Sequence, residues 1–305
     1  MKVLVTGASG FIGKNVLLAA PPEWEVVATY RRDDSFPDFL RKHALAKVAA
    51  LRIDLGDAAE AKQLGKHGAF DACIHLAANG DPAYSTREPG EDLRSNAVAL
   101  LNVVTNATFG HFVFFSSGAV YDGLKGPVGP GTPVKPALPY AISKWAAERY
   151  VANAQRTGRI RTATVVRFFG AYGPHEPARK IYGRLVKQFA FDRVPSFTIR
   201  GDGRNLIDAM YVEDTVRAIR LILDKGTESR TVDLCSGAPL TLAALVATAA
   251  KRFGIEPRIE LTGEVPEYIE FRSDDRTMET AYGFKPSIAL ADGLERFRVW
   301  MAGNG

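Results

Sequence analysis

Three glycines, Gly7, Gly10 and Gly13, recur at three-residue intervals directly after the apolar run Lys2–Thr6 and at the start of a helical pattern. Glycine permits the tight turn between a strand and a helix, the approach of a phosphate to the backbone, and close packing of the helix on the strand. The helix then offers its first N–H groups to the phosphates. The segment predicts a dinucleotide-binding site formed by Gly7, Ser9, Gly10, Phe11, Ile12 and Gly13.

Short β-branched runs alternate with helical patterns through the first 168 residues. Strands that alternate with helices argue for a parallel sheet with helices on both faces. The predicted fold class is therefore α/β, with a doubly wound parallel sheet. The predicted strands are Lys2–Thr6, Glu25–Tyr30, Val48–Ile53, Ala69–Leu76, His111–Ser116 and Thr162–Phe168. The predicted helices are Phe11–Ala20, Phe36–Ala46, Ala58–Lys66, Leu93–Thr108 and Pro139–Gln155.

The alternation becomes less regular in the last third of the chain. We predict a dinucleotide-binding lobe over residues 1–168, with contributions from about 205–235, and a substrate lobe over 169–204 and 236–305. The Gly- and Pro-rich segment Lys125–Ala137 is predicted to be an exposed loop. The remaining predicted elements are a strand at Thr231–Leu234, a helix from Leu240 to Phe253 and a C-terminal helix ending near Trp300.

The end of the second predicted strand indicates which dinucleotide is bound. An acidic residue there holds the ribose hydroxyls of NAD, whereas arginine accommodates the 2′-phosphate of NADP. Arg31 and Arg32 follow this strand directly, and Asp33 comes too late for the ribose position. The sequence thus favours NADP(H), with NAD as the alternative. After the third strand, Asp54 and Leu55 suit the adenine edge, although Asp54 also fits a helix N-cap.

A second group of polar residues follows the fifth predicted strand. Ser117 comes where that strand ends, which is the edge at which doubly wound sheets bind ligands. Tyr140 and Lys144 are four residues apart and lie on one face of the next helix. We expect the Lys144 ammonium to lower the pKa of Tyr140, which then exchanges a proton, while Ser117 donates a hydrogen bond to a substrate oxygen. Lys144 is also expected to hold the nicotinamide ribose.

With these motifs in order, the sequence resembles the extended short-chain dehydrogenase/reductase family, of the NAD-dependent epimerase/dehydratase type. The resemblance implies a Rossmann lobe, a smaller C-terminal substrate lobe, and catalytic roles for Ser117, Tyr140 and Lys144. It also implies dinucleotide contacts from Leu76, Ala77, Ala78 and Asn96. The matching segments are TGASGFIG, Asp54-Leu55, HLAA, the stretch from Ser85 to Asn96, SSGAVY, PYAISK, RFFGAYGP, GDGRNLIDAMYVEDT and YGFKP.

The resemblance also carries expectations about partners and substrates. Many members act on nucleotide-activated sugars and form homodimers through a four-helix bundle, expected here from the helices Leu93–Thr108 and Tyr140–Gln155. Two of the family's diphosphate contacts are replaced, since Gly170 stands at an asparagine position and Ile207 at an arginine position. The NLxD pattern around Ile207 is similar to the hydroxysteroid dehydrogenase branch, so the substrate class stays open. The candidate substrate contacts are Asn79, Ser85, Arg179, Asn205 and Arg272.

These residues predict an NAD(P)-dependent oxidoreductase that moves hydride to or from a secondary alcohol or ketone, with a nucleotide-sugar 4-keto reductase favoured. The alternatives are an NAD-dependent nucleotide-sugar epimerase and a hydroxysteroid-type dehydrogenase. A non-catalytic dinucleotide sensor is disfavoured because Tyr140 and Lys144 are both present. A dehydratase is disfavoured because Gly118-Ala119 stand where the family's dehydratases carry an acidic pair.

Composition argues against several other classes of protein. The net charge of +5 comes from scattered basic residues rather than a basic stripe with aromatics, so no nucleic-acid partner is expected. No apolar run approaches the roughly 18 residues that cross a membrane, and no leader precedes the first strand. We therefore predict a cytoplasmic protein without a membrane partner, in which Cys73 and Cys235 are reduced. The histidines lack metal-ligand spacing, so no metal site is predicted.

Overall fold

A sheet of seven parallel strands forms the centre of the computed structural model, which describes residues 1–263 and 269–304. In chain order the strands are β1 (Lys2–Thr6), β2 (Glu25–Tyr30), β3 (Val48–Arg52), β4 (Ala69–His75), β5 (Thr108–Ser117), β6 (Lys125–Val128), β7 (Ile160–Phe168), β8 (Ala171–Tyr172), β9 (Ser196–Ile199), β10 (Leu206–Ile207), β11 (Met210–Tyr211), β12 (Arg230–Leu234), β13 (Leu240–Thr241), β14 (Arg258–Leu261) and β15 (Glu270–Ser273). The strand order in the central sheet is β12-β7-β5-β4-β1-β2-β3. The predicted doubly wound parallel fold is confirmed.

The direction of sheet growth reverses at β1. The chain first extends the sheet from β1 to β2 and β3, then returns to place β4 on the other side of β1. Ligands of such sheets bind in the crevice outside the carboxyl ends of the strands at this switch point. The residues that follow β1, β2 and β4 are therefore placed together at one edge.

The helices cover both faces of the sheet and continue into the C-terminal part. They are α1 (Phe11–Leu18), α2 (Phe36–Lys42), α3 (Ala58–Ala61), α4 (Pro82–Arg87), α5 (Pro89–Leu93), α6 (Ala99–Asn106), α7 (Pro139–Arg156), α8 (Ile181–Val186), α9 (Val212–Lys225), α10 (Leu242–Arg252), α11 (Thr277–Tyr282) and α12 (Leu290–Asn304). A π-helical turn at Arg94–Val98 joins α5 to α6. Such turns are frequent at functional sites, and this one carries Asn96.

The apolar cores follow from the alternation of side chains along the strands. Val3 and Val5 pack with residues of α1, α2 and α9 on one face of the sheet. Leu4, which lies between them, points to the other face and packs with Leu100 of α6 and Val151 of α7. Because both faces are covered, β1 is apolar along its whole inner length.

A third apolar core lies in the C-terminal part of the chain. It joins Tyr172 and Phe189 to Phe197 on β9, Leu245 on α10 and Phe297 on α12. Tyr172 stacks on the neighbouring tyrosine of α8 with ring centroids 4.2 Å apart. This core is built around residues that follow β7, and the division of the chain into two lobes stays a prediction.

The structure also bears on the predicted loop Lys125–Ala137 and on the two cysteines. The segment Lys125–Ala137 is not entirely a loop, because it begins with β6, which pairs in parallel with β15. Because β15 lies far along the chain from β6, no local sequence pattern predicts this pairing. Cys73 and Cys235 are free thiols. Across residues 1–263 and 269–304, none of the helices is long and apolar enough to cross a membrane.

Candidate active site

The glycine loop connects β1 to α1 at the switch point of the sheet. Gly7 has a φ of +65°, and a Cβ there would lie 2.8 Å from the backbone of Ala77. A Cβ on Gly13 would lie 2.6 Å from the carbonyl oxygen of Gly7, so α1 packs against its own loop more closely than a side chain allows. Gly10 precedes α1 without a side-chain cap, which leaves the first N–H groups of the helix for an anion.

A cleft of about 370 Å³ opens beside this loop and collects most of the predicted dinucleotide contacts. Those that line it are Gly7, Ser9, Gly10, Arg31, Arg32, Asp54, Leu55, Leu76, Ala77 and Ala78. Those placed outside its lining are Phe11, Ile12, Gly13, Asn96, Tyr140 and Lys144. The cleft is also lined by residues that sequence reasoning missed, namely Thr29, Tyr30, Asp33, Ile53, Gly56, Ser95 and Ala99. Most of these residues lie at or just after the ends of β2 and β3, so the predicted strand ends could have identified them. Ser95 and Ala99 line the cleft only because of tertiary packing.

Asp33, which the sequence places too late for the ribose position, lines the cleft. The turn after β2 brings its carboxylate within 3.1 Å of Lys14 Nζ on α1. Burial acts to raise the pKa of Asp33, but hydrogen bonds from Ser35 and Lys14 and the charge of Lys14 outweigh it, so the pKa is lowered. The carboxylate is therefore held charged beside Lys14 in the lining of the cleft.

Asp54 is paired with two arginines at the same end of the cleft. Its Oδ2 lies 3.1 Å from Arg94 Nη1 and 3.6 Å from Arg31 Nη1. Burial again acts to raise the pKa of this carboxyl, but the Gly56 N–H, the Arg94 hydrogen bond and the two guanidinium charges lower it overall. Arg94 is a contact that the sequence did not suggest, because it comes from the helix between α5 and α6.

Ser117, Tyr140 and Lys144 are brought together at the carboxyl edge of the sheet. Ser117 is the last residue of β5, and its hydroxyl accepts a hydrogen bond from Ala119 N–H at 3.1 Å. Tyr140 is the second residue of α7, and its own N–H donates to the hydroxyl of Ser85 at 3.1 Å. Burial raises the pKa of the Tyr140 phenol, and the neighbouring Ser117 hydroxyl acts in the opposite direction. A phenol beside a serine hydroxyl is an arrangement that can pass a proton to a substrate oxygen.

Lys144 does not have the predicted effect on the tyrosine in this structure. Its ammonium donates to the carbonyl oxygen of Phe115 at 2.7 Å and lies 5.1 Å from the ring centroid of Phe114. The largest influences on the pKa of Tyr140 are burial, Ser117 and Asp92, and the net shift is upward. Burial of Lys144 lowers its own pKa to about 8, against the charges of Asp92 and Glu148. Burial thus sets the direction of the Tyr140 shift, and the Lys144 ammonium is not among its main causes.

Asn96 lies in a buried hydrogen-bond network beside α7. Its amide nitrogen donates to Asp92 Oδ1 at 3.0 Å and to Ser143 Oγ at 2.9 Å, and its Oδ1 accepts from Asn79 N–H at 2.8 Å. This arrangement uses all of its side-chain groups within the protein. Asn96 therefore fixes the loop after β4 against α7, at one remove from the cleft.

The candidate substrate contacts fall into two groups. The side chains of Asn79, Ser85 and Asn205 are used inside the protein: Asn79 donates to Asp92 at 2.7 Å, Ser85 donates to the Pro82 carbonyl at 2.7 Å, and Asn205 accepts from Ile269 N–H at 2.8 Å. Ser85 is completely buried, so it is placed to support Tyr140 rather than to touch a substrate. The exposed pair is Arg179, whose guanidinium lies 3.7 Å from Asp81, and Arg272 on β15.

Known proteins resemble this chain over all or nearly all of its length. The family model of the NAD dependent epimerase/dehydratase family matches residues 3–235. A dTDP-glucose 4,6-dehydratase of Streptomyces griseus is 29% identical over 320 residues, covering 98% of this chain and 93% of that protein. A probable UDP-glucuronate 4-epimerase of Rhizobium meliloti is 27% identical, covering 100% of this chain and 98% of that protein. The solved structure of MoeE5 in complex with UDP-glucuronic acid and NAD superposes with a TM-score of 0.86 at 25% identity, covering 100% of both chains.

Proposed function

This chain belongs to the NAD dependent epimerase/dehydratase family, and from that premise we propose that it is a nucleotide-sugar oxidoreductase acting as a 4-keto reductase. The observation that carries the proposal is the placement of Ser117 at the end of β5 and of Tyr140 at the start of α7, on the sheet edge that also carries the glycine loop and its cleft. The dinucleotide supplies hydride chemistry when bound. The residues of the chain supply a hydrogen bond and a proton to the substrate oxygen.

The direction of proton transfer supports a reductase. Burial raises the pKa of Tyr140, so the resting protein carries a protonated phenol at neutral pH. A ketone that becomes an alcohol must gain a proton on its oxygen, and the phenol is ready to donate one. The opposite reaction would first require removal of that proton.

A net dehydration is less well supported, although several relatives carry dehydratase names. Removal of water from a sugar needs a further acid and base beside the substrate. A Cβ on Gly118 would lie 3.1 Å from the ring of Phe169, so a side chain longer than that of glycine would require this ring to shift. The next residue, Ala119, has no ionisable group and uses its N–H on Ser117.

A nucleotide-sugar 4-epimerase is the second candidate. The Rhizobium meliloti relative is named as a probable 4-epimerase, and MoeE5 was solved with a UDP-sugar and NAD. An epimerase uses the same serine and tyrosine but returns the hydride to the opposite face of the ketone. What separates the two activities is therefore the fate of the hydride rather than the catalytic residues.

The charges around the cleft support NADP(H) over NAD as the cofactor. The two carboxylates that line it are already paired, Asp33 with Lys14 and Asp54 with Arg31. Arg32 lines the same cleft and forms no ion pair with any carboxylate in the described part of the chain. An uncompensated guanidinium at the ribose end is suited to a 2′-phosphate.

We expect Arg32→Ala to weaken NADPH binding by about tenfold or more, the scale of a lost charge-assisted hydrogen bond. NADH binding should change by no more than about threefold, because that ligand has no 2′-phosphate. Arg31→Ala should have a smaller effect on NADPH, since Arg31 is already engaged with Asp54. Titration of protein fluorescence with both dinucleotides measures all of these. If neither variant weakens NADPH selectively, the 2′-phosphate assignment fails.

The substrate proposed is a nucleotide-activated sugar held by contacts that differ from the family pattern. Gly170 has a φ of +126°, which L side chains rarely adopt, so an asparagine would be strained there. The arginine position is taken by Ile207 on β10. We propose that Arg179 supplies the diphosphate contact, since its guanidinium is exposed and lies near the loop that follows β4.

Product analysis decides between the two activities. The purified protein is incubated with NADPH and a UDP- or dTDP-linked 4-keto-hexose, while the absorbance of the reduced nicotinamide and the sugar products are followed. A reductase consumes one NADPH for each ketone reduced. An epimerase, given the corresponding 4-hydroxy sugar and NAD, forms the 4-epimer with no net change in absorbance. If neither substrate is converted, both proposals fall and the sensor alternative gains support.

We also propose a homodimer formed through α5, α6 and α7, together with the π-helical turn that joins the first two. Large apolar side chains are between 36% and 45% exposed there, namely Leu93 on α5, Val98 on the π-helical turn, and Ile142 and Trp145 on α7. A cluster of this kind is typical of an interaction surface. Sedimentation equilibrium tests the assignment, since the wild type should be a dimer and Trp145→Asp should shift it towards a monomer.

A further inference from the structure

Asp92 is a completely buried carboxylate near the start of the catalytic helix. Ser143 Oγ donates to its Oδ2 at 2.5 Å, and the side-chain amides of Asn96 and Asn79 donate to its Oδ1 at 3.0 and 2.7 Å. Three donors on two oxygens satisfy a carboxylate that water does not reach. No arginine or lysine forms an ion pair with it among the residues that the structure describes.

Through Ser143, Asp92 is connected to the turn of α7 that carries both Tyr140 and Lys144. Ser143 precedes Lys144 on α7, and its hydroxyl also lies 3.0 Å from the carbonyl oxygen of Tyr140. A carboxylate fixed to Ser143 is therefore fixed relative to the turn of helix that carries both catalytic side chains. The negative charge of Asp92 acts on each of them, as the shifts of Tyr140 and Lys144 both record.

Lys144 is a buried cation that needs a counter-charge. The charged and titratable groups that face it are Asp92 from α5, Glu148 and Tyr140 from α7, and His75 from β4. Burial lowers the pKa of His75 to about 3, so it is neutral and contributes no negative charge. Glu148 makes two hydrogen bonds with Arg167, at 3.1 and 2.9 Å, and that guanidinium already balances its charge.

We propose that Asp92 is a positioning residue that acts as the buried counter-charge of Lys144, while its hydrogen bond with Ser143 fixes the turn of α7 that carries the ammonium. The role in catalysis rests on the proposed function, but the coupling between the two side chains is a property of the folded protein. It can therefore be measured without substrate.

The pH dependence follows from the position of the two charges. Burial has lowered the pKa of Lys144 to about 8, and Asp92 opposes that shift. Removing the Asp92 charge lowers the Lys144 pKa further, which raises the free energy of the folded state wherever Lys144 is protonated. The added destabilisation is full below the pKa of Lys144 in the variant. It disappears as the pH rises through about 8, where Lys144 is neutral in both proteins.

Asp92→Asn removes the charge while keeping the geometry. The asparagine Oδ1 still accepts from Asn79 and Asn96, and its amide nitrogen takes the place of Oδ2 and donates to Ser143. The Ser143 hydroxyl can then turn its proton to the carbonyl oxygen of Tyr140. The variant thus isolates the charge from the hydrogen-bond pattern.

Urea unfolding of the wild type and the variant, at several values from about pH 6.5 to about pH 9.5, tests the proposal. We expect the midpoint of Asp92→Asn to be clearly lower near pH 6.5 and to approach the wild-type midpoint near pH 9.5. The matched control is Asp214→Asn, which removes an equally buried carboxylate paired with Arg217 rather than with a lysine. Its midpoint should stay below wild type by a constant amount over this range.

A double variant keeps the test decisive if Asp92→Asn does not fold. Lys144→Met removes the ammonium, so Asp92→Asn should cost much less stability in that background. The proposal would be overturned if the destabilisation of the double variant equalled the sum of the destabilisations of Asp92→Asn and Lys144→Met. It would also be overturned if the difference in urea midpoint between Asp92→Asn and the wild type did not change with pH. Dinucleotide titrations at the same pH values then report on function. A loss of affinity relative to the wild type that is largest just below about pH 8 and disappears above it, where Lys144 is neutral in both proteins, supports the functional consequence. A loss of equal size at every pH contradicts it.

Discussion

Tyr140→Phe should lower turnover by about 10²-fold or more, while dinucleotide affinity stays close to that of the wild type. The substitution removes only the phenolic oxygen, and general acid–base catalysis by a positioned side chain contributes on this scale. The main chain of the variant keeps its place because Tyr140 N–H still donates to Ser85. Steady-state turnover with reduced dinucleotide, together with a fluorescence titration, gives both quantities.

The control for this variant is Tyr150→Phe on the same helix. Tyr150 is 42% exposed and lies ten residues beyond Tyr140 on α7, about 15 Å along the helix axis, so removal of its hydroxyl should leave turnover unchanged. Turnover of Tyr140→Phe within a few-fold of the wild type would remove Tyr140 from the acid/base role. Equal losses in both tyrosine variants would instead indicate a general effect on α7.

Gly13→Ala should lower the free energy of unfolding by about 1–3 kcal/mol, the usual cost of overpacking a tight interior. It should also weaken dinucleotide binding. A Cβ at this position would lie 2.6 Å from the Gly7 carbonyl oxygen and from Ala8 Cα, and both are main-chain atoms that cannot rotate away. The loop must move to relieve the contact, and that loop forms the wall of the cleft. Urea unfolding and dinucleotide titration measure the two effects.

Gly303→Ala is the matched control, since it is also a glycine within a helix. A Cβ at Gly303 would meet no atom within 4 Å, so alanine should be neutral or slightly stabilising there. A Gly13→Ala protein as stable as Gly303→Ala, with unchanged dinucleotide affinity, would show that close packing of α1 on its loop is not required.

The elements that carry the site were predictable because their signals are local. The spacing of Gly7, Gly10 and Gly13 after an apolar strand predicts the phosphate loop without any knowledge of long-range contacts. The four-residue interval between Tyr140 and Lys144 placed both on one turn of a helix, which the structure shows as α7. Each of these inferences depends on residues within a single strand, turn or helix.

Asp92 and Arg94 could not be found from the sequence because their partners are distant in the chain. Asp92 and Ser143 are 51 positions apart, and neither belongs to a motif that predicts the other. Arg94 reaches Asp54 from 40 positions away. Asp33 was excluded by counting residues along the chain, yet the turn after β2 folds it back to Lys14. Linear spacing cannot report such contacts because they are created by packing between elements.

The sequence by itself determined the alternation of strands and helices through the first 168 residues, the glycine loop, and the choice of Ser117, Tyr140 and Lys144 as candidate residues at the sheet edge. These follow from periodicity and short-range spacing, which the chain carries locally. Only the tertiary structure decided the protonation of those groups and the charges that balance them. Burial raises the pKa of Tyr140 and lowers that of Lys144 to about 8, because the cost of desolvating a charge depends on everything packed around it.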